Sequence, residues 1–433
     1  MRGGEVYIYR GMKVFDIIYT TKERNDMTVI HTSDWHLGAK LHEQDRAEEH
    51  GQFLKALAEL VQSESADAVV ISGDVFDVRQ PGPAAQALYY DFLASLKSCT
   101  TCRKVVVTAG NHDSASLLAA SRPVLKHLDV EVVAKASEDV AKELVVLTKA
   151  DGSPALVVAA VPFMNDGELS NFARAAGVEA ADAASRVAAG FKAHYEAVLA
   201  AAHDAAHGAP ILVTGHCAVK GAKESDSRSE RGRSVGGLDS FDGGAFAGAD
   251  YVALGHYHIP QSVGDSGRVF YCGSPLQMSF AEAGQQKFVN VVRFGEKAGD
   301  AIDVKQVPLA VPVPLVKLEG SVEGVREQLK PLVEKGTAAY VNVRVTEGEG
   351  ELAEFWREVD SLVEGKDVRV LLRENARPRE KLGAGLAAAP EQDLAALTPR
   401  DIAELRVGEE DLNEQEKKEY IKMVEEVISK EVA

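Results

Sequence analysis

The chain has 433 residues, too many for one typical core, so two or three units are expected. A hydrophobic content of 45% supports a globular protein, no apolar run approaches the length of a membrane span, and four cysteines do not make a disulfide framework, which fits a reducing cytosol. With 48 Lys and Arg against 66 Asp and Glu the net charge is −18, which excludes a uniformly basic surface and leaves phosphate-backbone binding to local positive charge.

Residues 1–26 mix Arg2, Arg10 and Lys13 with Glu5, Asp16 and Glu23, and hold no apolar stretch suited to a signal peptide. They are read as an extension without function, with Met27 as the natural start. A buried strand follows at 28–30. Helical spacing of Phe53, Leu54, Leu57, Leu60 and Val61 predicts a helix over 44–62. Strand 68–71, helix 84–96 and strand 105–107 come next, then strand 155–161, ended by Pro162, and a long Ala-rich helix over 180–206. Apolar runs at 211–213 and 251–254 read as further strands, and 289–294 as the last strand of the first domain.

Three prolines within 307–314 predict an extended linker. Beyond it, strands at 315–318, 339–345 and 368–372 alternate with helices at 322–333 and 351–363. This β-α-β-α-β unit contains no His or Cys and is not expected to do chemistry. Residues 374–398 are rich in Ala, Gly and Pro and read as a tether. Thr398-Pro399 marks one helix start and Asn413 with Glu416 a second. On that last helix Tyr420, Ile421, Val424, Val427 and Ile428 form an apolar stripe that fits a partner, with docking on its own domain as the other reading.

Five polar clusters, TSDWHLG, GDVFD, GNHD, TGH and GHYH, each follow directly on one of the predicted strands. In an open α/β sheet, ligand chemistry collects beyond the carboxyl ends of the strands. Asp34, His36, Asp74, Asn111, His112, His216, His256 and His258 are therefore expected on one rim. Singly, each cluster could be an ordinary turn. Together they offer two carboxylates, an amide oxygen and several imidazoles without a thiolate, a donor set for manganese, iron or zinc. There are more ligands than one ion needs, and two ions sharing a carboxylate would use them all.

The order Asp-x-His, GD-x-x-D, GNH-D, GH and GH-x-H resembles the calcineurin-like metallophosphoesterases. The intervening HTSDWHLG, Gln86-Ala87-Leu88-Tyr89-Tyr90, Ser225-Asp226-Ser227, Val235-Gly236-Gly237-Leu238-Asp239 and GSPLQMSF narrow the resemblance to the SbcD nucleases, from about Met27 to Phe294 and more loosely beyond. That resemblance implies a four-layer α/β/β/α metallophosphoesterase sandwich over 27–306, a small β-α-β-α-β capping domain over 307–373, and a tether with C-terminal partner-binding helices over 374–433.

It also implies roles. Asp34, His36 and His258 would hold one metal, Asn111, His216 and His256 the other, and Asp74 would bridge them. His112 would be the catalytic acid, Asp113 could orient its ring, and Asp77 would stand behind the ligands. Two manganese ions, double-stranded DNA ends and hairpins, an SMC-like ATPase (SbcC) gripped by the C-terminal helices, and a homodimer within a heterotetramer are implied likewise. So are a place in DNA repair, recombination and replication and a cytoplasmic location, nucleoid-associated on DNA. Lys220, Lys223, Arg228, Arg231 and Arg233, against Glu224, Asp226 and Glu230, give the loop 220–233 a net charge of +2, a weak candidate for DNA contact.

The remaining histidines are assigned to structure: His31 to the core, and His42, His50, His194, His203 and His207 to the surface. Cys99 and Cys102 form a lone C-x-x-C pair to which no metal or redox role is assigned. Two other readings compete. One is a phosphoesterase for small nucleotides or phosphoproteins, although GDVFD continues with Val78-Arg79 where phosphoprotein phosphatases have Arg-Gly. The other is a non-catalytic, metal-stabilised DNA-tethering module, against which His112 argues, since it is not needed as a ligand.

Overall fold

Val29, Ala68, Val70 and Val106 are buried on one face of their strands, and Ile30, Val69, Ile71 and Val107 on the other. Strands apolar on both faces need cover on both sides. In the computed structural model, which describes residues 26–224, 240–264, 266–347 and 352–375, that cover is a second sheet on one side and helices on the other.

The chain opens with β1 (Met27–Thr32), the short pair β2 (Lys40–Leu41) and β3 (Gln44–Asp45), α1 (Ala47–Ser63) and β4 (Ala68–Ser72). Next come α2 (Pro83–Leu96), β5 (Lys104–Thr108), α3 (Ala115–Leu125) and β6 (Val130–Val133). The second half runs β7 (Leu144–Thr148), β8 (Pro154–Ala159), α4 (Asp166–Ala175), α5 (Ala183–Ala206) and β9 (Ile211–His216). It continues with β10 (Tyr251–Gly255), β11 (Gln261–Val263), β12 (Val269–Tyr271), β13 (Phe288–Phe294) and β14 (Asp303–Pro308).

Two six-stranded sheets result, in the orders β14-β13-β1-β4-β5-β6 and β11-β12-β10-β9-β8-β7. Between them lie Val29, Val70, Val106, Val158, Leu212, Tyr251 and Ala253. Outside the first sheet α1, α2 and α3 bury Phe53, Leu57, Tyr89, Phe92 and Leu118; outside the second, α5 buries Val187, Phe191, Tyr195 and Val198. The layers are α/β/β/α. Strands β1, β4 and β5 run parallel, as do β9 and β10, so their carboxyl ends share a direction within each sheet.

Several boundaries differ from expectation. The last strand of this part is β14, whose Pro308 pairs with Phe288, so the proline-rich run begins inside the sheet. Proline is tolerated there because β14 is an edge strand with no outer neighbour among the described residues. Gln44 and Asp45, expected on α1, form the hairpin with β2, and His42 stands at its exposed tip with φ +46. Helix α5 starts at Ala183 because the Asp182 side chain accepts from Ser185 N and caps it.

His50 and His194 are buried, not surface residues: His50 donates to Trp35 O at 3.1 Å, and His194 pairs with the buried Glu143 at 3.0 Å while stacking on Phe172. Each imidazole presents a flat face that packs in a core once its polar nitrogen is satisfied, which composition does not reveal. His203 and His207 are exposed, and His31 lies in the core against the Tyr251 hydroxyl at 2.9 Å, as expected. Cys99 and Cys102 are both free thiols, and burial pushes Cys102 up to about 12.

A buried ion pair ties α1 to the loop before β13. Arg46 donates to both Glu49 oxygens at 2.9 and 2.7 Å and to Gln277 O at 2.6 Å, with neither partner exposed. Arg46→Met would leave the Glu49 carboxylate buried without its cation, and should lower unfolding free energy by about 3–5 kcal/mol. Urea unfolding of the variant checks this; a change under about 1 kcal/mol would mean that Glu49 finds another cation.

The C-terminal described segment contains β15 (Leu315–Ser321), α6 (Val322–Lys335), β16 (Ala339–Glu347), α7 (Leu352–Val363) and β17 (Val368–Asn375), with β16 central in a three-stranded sheet. The chain divides into two compact units, one comprising the chain to Lys317 with Lys335–Asn342 and Gly365–Leu372, the other including Leu318–Glu334 and Val343–Glu364. In the second, Val325, Leu329, Phe355 and Val359 are buried, and Arg326 bridges Glu323 and Glu358. The N-terminal extension (1–25 of it), the tether and the C-terminal helices lie outside the described residues. Among those described, no helix is long and apolar enough to cross a membrane.

Candidate metal centre

Two loops, after β1 and after β4, are laid side by side by backbone hydrogen bonds: Asp34 N to Gly73 O, His36 N to Asp74 O and Leu37 N to Val75 O, at 2.9–3.0 Å. Asp34, His36, Asp74 and His256 all have positive φ, between +46 and +109. Non-glycine residues held there cost roughly 1–3 kcal/mol each and gather at functional sites. Glycine is obligatory at two neighbouring points. A Cβ on Gly73 would collide with the His216 ring, and one on Gly110 with the Asp74 carboxylate.

All seven residues assigned as ligands from sequence are brought together. His36 Nε2 is 3.2 Å from His258 Nε2 and 3.6 Å from Asp74 Oδ2. His216 Nε2 is 3.3 Å from Asp74 Oδ2 and 3.0 Å from Asn111 Oδ1, which also lies 3.2 Å from His256 Nδ1. Donor atoms of Asp34, His36 and His258 fall within 4.8 Å of one another, as do those of Asp34, Asp74 and His216. Asp34 itself is oriented by Ser33 Oγ and by His256 N, which donates to its Oδ1 at 2.9 Å.

The decisive feature is which atoms face each other. His216 Nδ1 donates to Ser72 O at 2.9 Å, so in the neutral ring Nε2 carries a lone pair. That lone pair points at a carboxylate oxygen and an amide oxygen, neither of which can donate. A cation has to sit among them, a proton or a metal ion. Accordingly, although burial pulls His216 down, the Asp74 carboxylate raises it to about 9, and Asp74 is itself held below the usual carboxylate range by His216, His36 and His112 against the opposing effect of burial. Burial, and then the His216 charge, lower His256 to about 3 and keep it a neutral donor of electrons. The oxygen and imidazole set fits divalent metal ions.

His112 lies beside this cluster, half-buried, with its ring 4.9 Å from that of His36. Its backbone N–H donates to Asp74 Oδ1 at 2.8 Å, and its Nδ1 donates to the carbonyl of Asp77 at 2.7 Å. The expectation for Asp113 is therefore corrected. Its carboxylate does not reach the His112 ring; it accepts from Val75 N, Phe76 N and Gly110 N at 2.8–3.1 Å and staples the GDVFD and GNHD loops together. Burial and the Asp74 charge raise it to about 6 against those three donors. The Asp77 side chain stands 3.4 Å from His36 Nδ1, behind the ring.

Sequence reasoning missed what lies behind His258. Its Nδ1 faces Glu282 Oε1 at 3.3 Å, and Glu282 is paired with Lys287 at 2.5 Å, both wholly buried. Burial raises the Glu282 carboxyl, but His258 and Lys287 outweigh it and hold it at about 2. Glu282 follows directly on GSPLQMSFA, and its place in the fold rather than any spacing makes it a partner of His258. Of the DNA-contact candidates, Lys220 and Lys223 are exposed, while Arg228, Arg231 and Arg233 lie outside the described residues, as do Tyr420, Ile421, Val424, Val427 and Ile428.

Residues 27–260 match the model of the calcineurin-like phosphoesterases. The chain belongs to that family, in its SbcD branch. The SbcD component of the SbcCD nuclease of Escherichia coli K12 is 32% identical over 391 residues, spanning 90% of this chain and 94% of that one. The component of the same name from Rhodobacter capsulatus is 31% identical, over 87% and 93% of the two chains, and that from Bacillus subtilis 31% identical, over 67% and 72%. Residues 311–411 match the model described as the type 5 capsule protein repressor C-terminal domain. As a member of the SbcD family the chain is a phosphodiester hydrolase with a metal-dependent nuclease fold.

Proposed function

We propose that this chain is the two-metal DNA nuclease component of a complex with an SMC-like ATPase, acting as an ATP-dependent double-strand exonuclease and hairpin endonuclease in DNA end processing. The observation that carries this reading is the convergence of lone pairs at His216, Asp74 and Asn111, beside a second group at Asp34, His36 and His258, in a family whose relatives are named as nucleases. Asp34, His36 and His258 hold one ion, Asn111, His216 and His256 the other, and Asp74 lies between both sets. Two divalent ions, when bound, supply Lewis acidity and a nucleophile at neutral pH for in-line attack on phosphorus. Manganese is the metal proposed.

The residues of the chain do the rest. Because Nδ1 of His112 is engaged by the Asp77 carbonyl, its Nε2 is the nitrogen left to face the phosphate. An imidazole there protonates the leaving oxygen or stabilises charge on phosphorus near neutral pH. Asp113 keeps the two catalytic loops in register, and Gly73 and Gly110 allow His216 and Asp74 to approach.

Residues 307–373 are proposed as a cap that helps to select DNA, and 374–433 as the tether and helices that hold the ATPase, within a heterotetramer containing two copies of this chain in the cytoplasm. A blocked-end duplex, assayed with and without manganese, ATP and the ATPase, tests the whole reading. Cleavage that requires neither metal nor partner would overturn it. Changing Ile421 and Val424 together to Asp should abolish co-purification with the ATPase while leaving metal-dependent cleavage of open single-stranded DNA intact. Five apolar side chains at helical spacing in the sequence could contribute several kcal/mol at roughly 1.5–3 each before ordering costs. Unchanged affinity in that double variant would place the partner contact elsewhere.

A further inference from the structure

Every donor of the Lys287 ammonium is used within the protein: it reaches Glu282 Oε2 at 2.5 Å, His258 O at 3.1 Å and Ser274 Oγ at 3.2 Å. Glu282 in turn accepts from Met278 N at 3.1 Å through the same oxygen, and turns its other oxygen to His258 Nδ1. Both side chains are fully buried. A buried ion pair of this kind is weak evidence for stability, because apolar residues of the same volume often serve as well or better. What the pair does have is a common target: the lysine grips the backbone of His258 and the carboxylate its ring.

We infer that the Glu282–Lys287 pair is a positioning device that locks His258 as the Nδ1–H tautomer and presents its Nε2 beside Asp34 and His36, so that retention of the ion on that side depends on it. The inference rests on the ligand assignment proposed above. Three physical reasons support it. A carboxylate that accepts from one imidazole nitrogen fixes the ring and makes the other nitrogen a stronger ligand. His258 Nε2 sits 3.2 Å from His36 Nε2, and two facing imidazoles can both offer lone pairs only if each proton is held on the far nitrogen. Lys287 lies 2.5 Å from Glu282 Oε2 and 3.1 Å from His258 O, so it pairs the buried carboxylate and holds it against the histidine that it orients. His216, by contrast, is oriented by a single backbone carbonyl, that of Ser72.

The test uses the full chain stripped of metal, titrated with manganese against a competing chelator and followed by electron paramagnetic resonance. Wild type should take up two ions per chain and show the signal of a coupled pair. In the variant carrying both Glu282→Met and Lys287→Met, no buried charge is left unpaired, and the urea midpoint should be unchanged or higher. One ion should nevertheless bind about 10–100-fold more weakly, replacing the coupled signal by that of a single ion. His258→Ala should weaken the same ion. If the double variant binds both ions as tightly as wild type, whatever its stability, the pair does not position His258 and the inference falls. Should the double variant fail to fold, Glu282→Gln carries the test: it is expected to weaken the same single ion, and unchanged affinity would overturn the inference. Wild type that takes up fewer than two ions would instead defeat the two-metal reading itself.

Discussion

Asp74→Asn is expected to reduce metal-dependent hydrolysis to background. The substitution removes a carboxylate that faces both halves of the site, 3.6 Å from His36 Nε2 and 3.3 Å from His216 Nε2. It also places an amide N–H₂ where a lone pair is needed. Losing charge from both positions at once forfeits several kcal/mol of transition-state stabilisation, or about 10³-fold or more in rate. Asp77→Asn should be much milder, because the Asp77 contribution to His112 comes from its backbone carbonyl, and its side chain stands behind His36. Turnover on a generic phosphodiester and metal content of both variants settle the matter. Equal losses would show that the carboxylate between the ions has been misplaced.

His112→Gln should separate binding from chemistry. The backbone N–H that supports Asp74 is retained, and His112 is assigned no place among the ligands, so two ions per chain should remain. Turnover should fall by about 10²–10⁴-fold, the usual worth of a positioned proton donor. The competing arrangement is visible in the same structure: donor atoms of His36, Asp77 and His112 also lie within 4.8 Å of one another. Elemental analysis decides between them. A variant holding a single ion would make His112 a ligand and reverse the division of roles.

Much of this centre was legible in the chain because strand ends are local features. An apolar run followed at once by Asp-x-His or Gly-Asn-His places its polar residues beyond a strand whatever the rest of the chain does. Both sheets keep their parallel strands side by side, so five such ends meet. The β-α-β-α-β alternation after residue 314 was legible for the same reason, from periodicity alone.

Contacts across long sequence separations were not. Asp113 sits next to His112 in sequence, yet its carboxylate serves the backbone of Val75, Phe76 and Gly110, because a buried carboxylate goes to whichever unpaired N–H groups surround it. His50 lies on a helix with a charged first turn and His194 on an Ala-rich one, and each is buried where a partner, Trp35 O or Glu143, lies opposite it. The end of edge strand β14, Val307 and Pro308, looked like linker since a proline suits an edge as well as a loop.

By itself, then, the order of residues determined the five strands that end at the site, the residue types gathered there and the family, all of which follow from patterns within a few positions. Only the tertiary structure decided which oxygen orients which ring, and that Glu282 and Lys287 stand behind His258. Hydrogen-bond partners are chosen by distance in space, and no spacing in the chain encodes it.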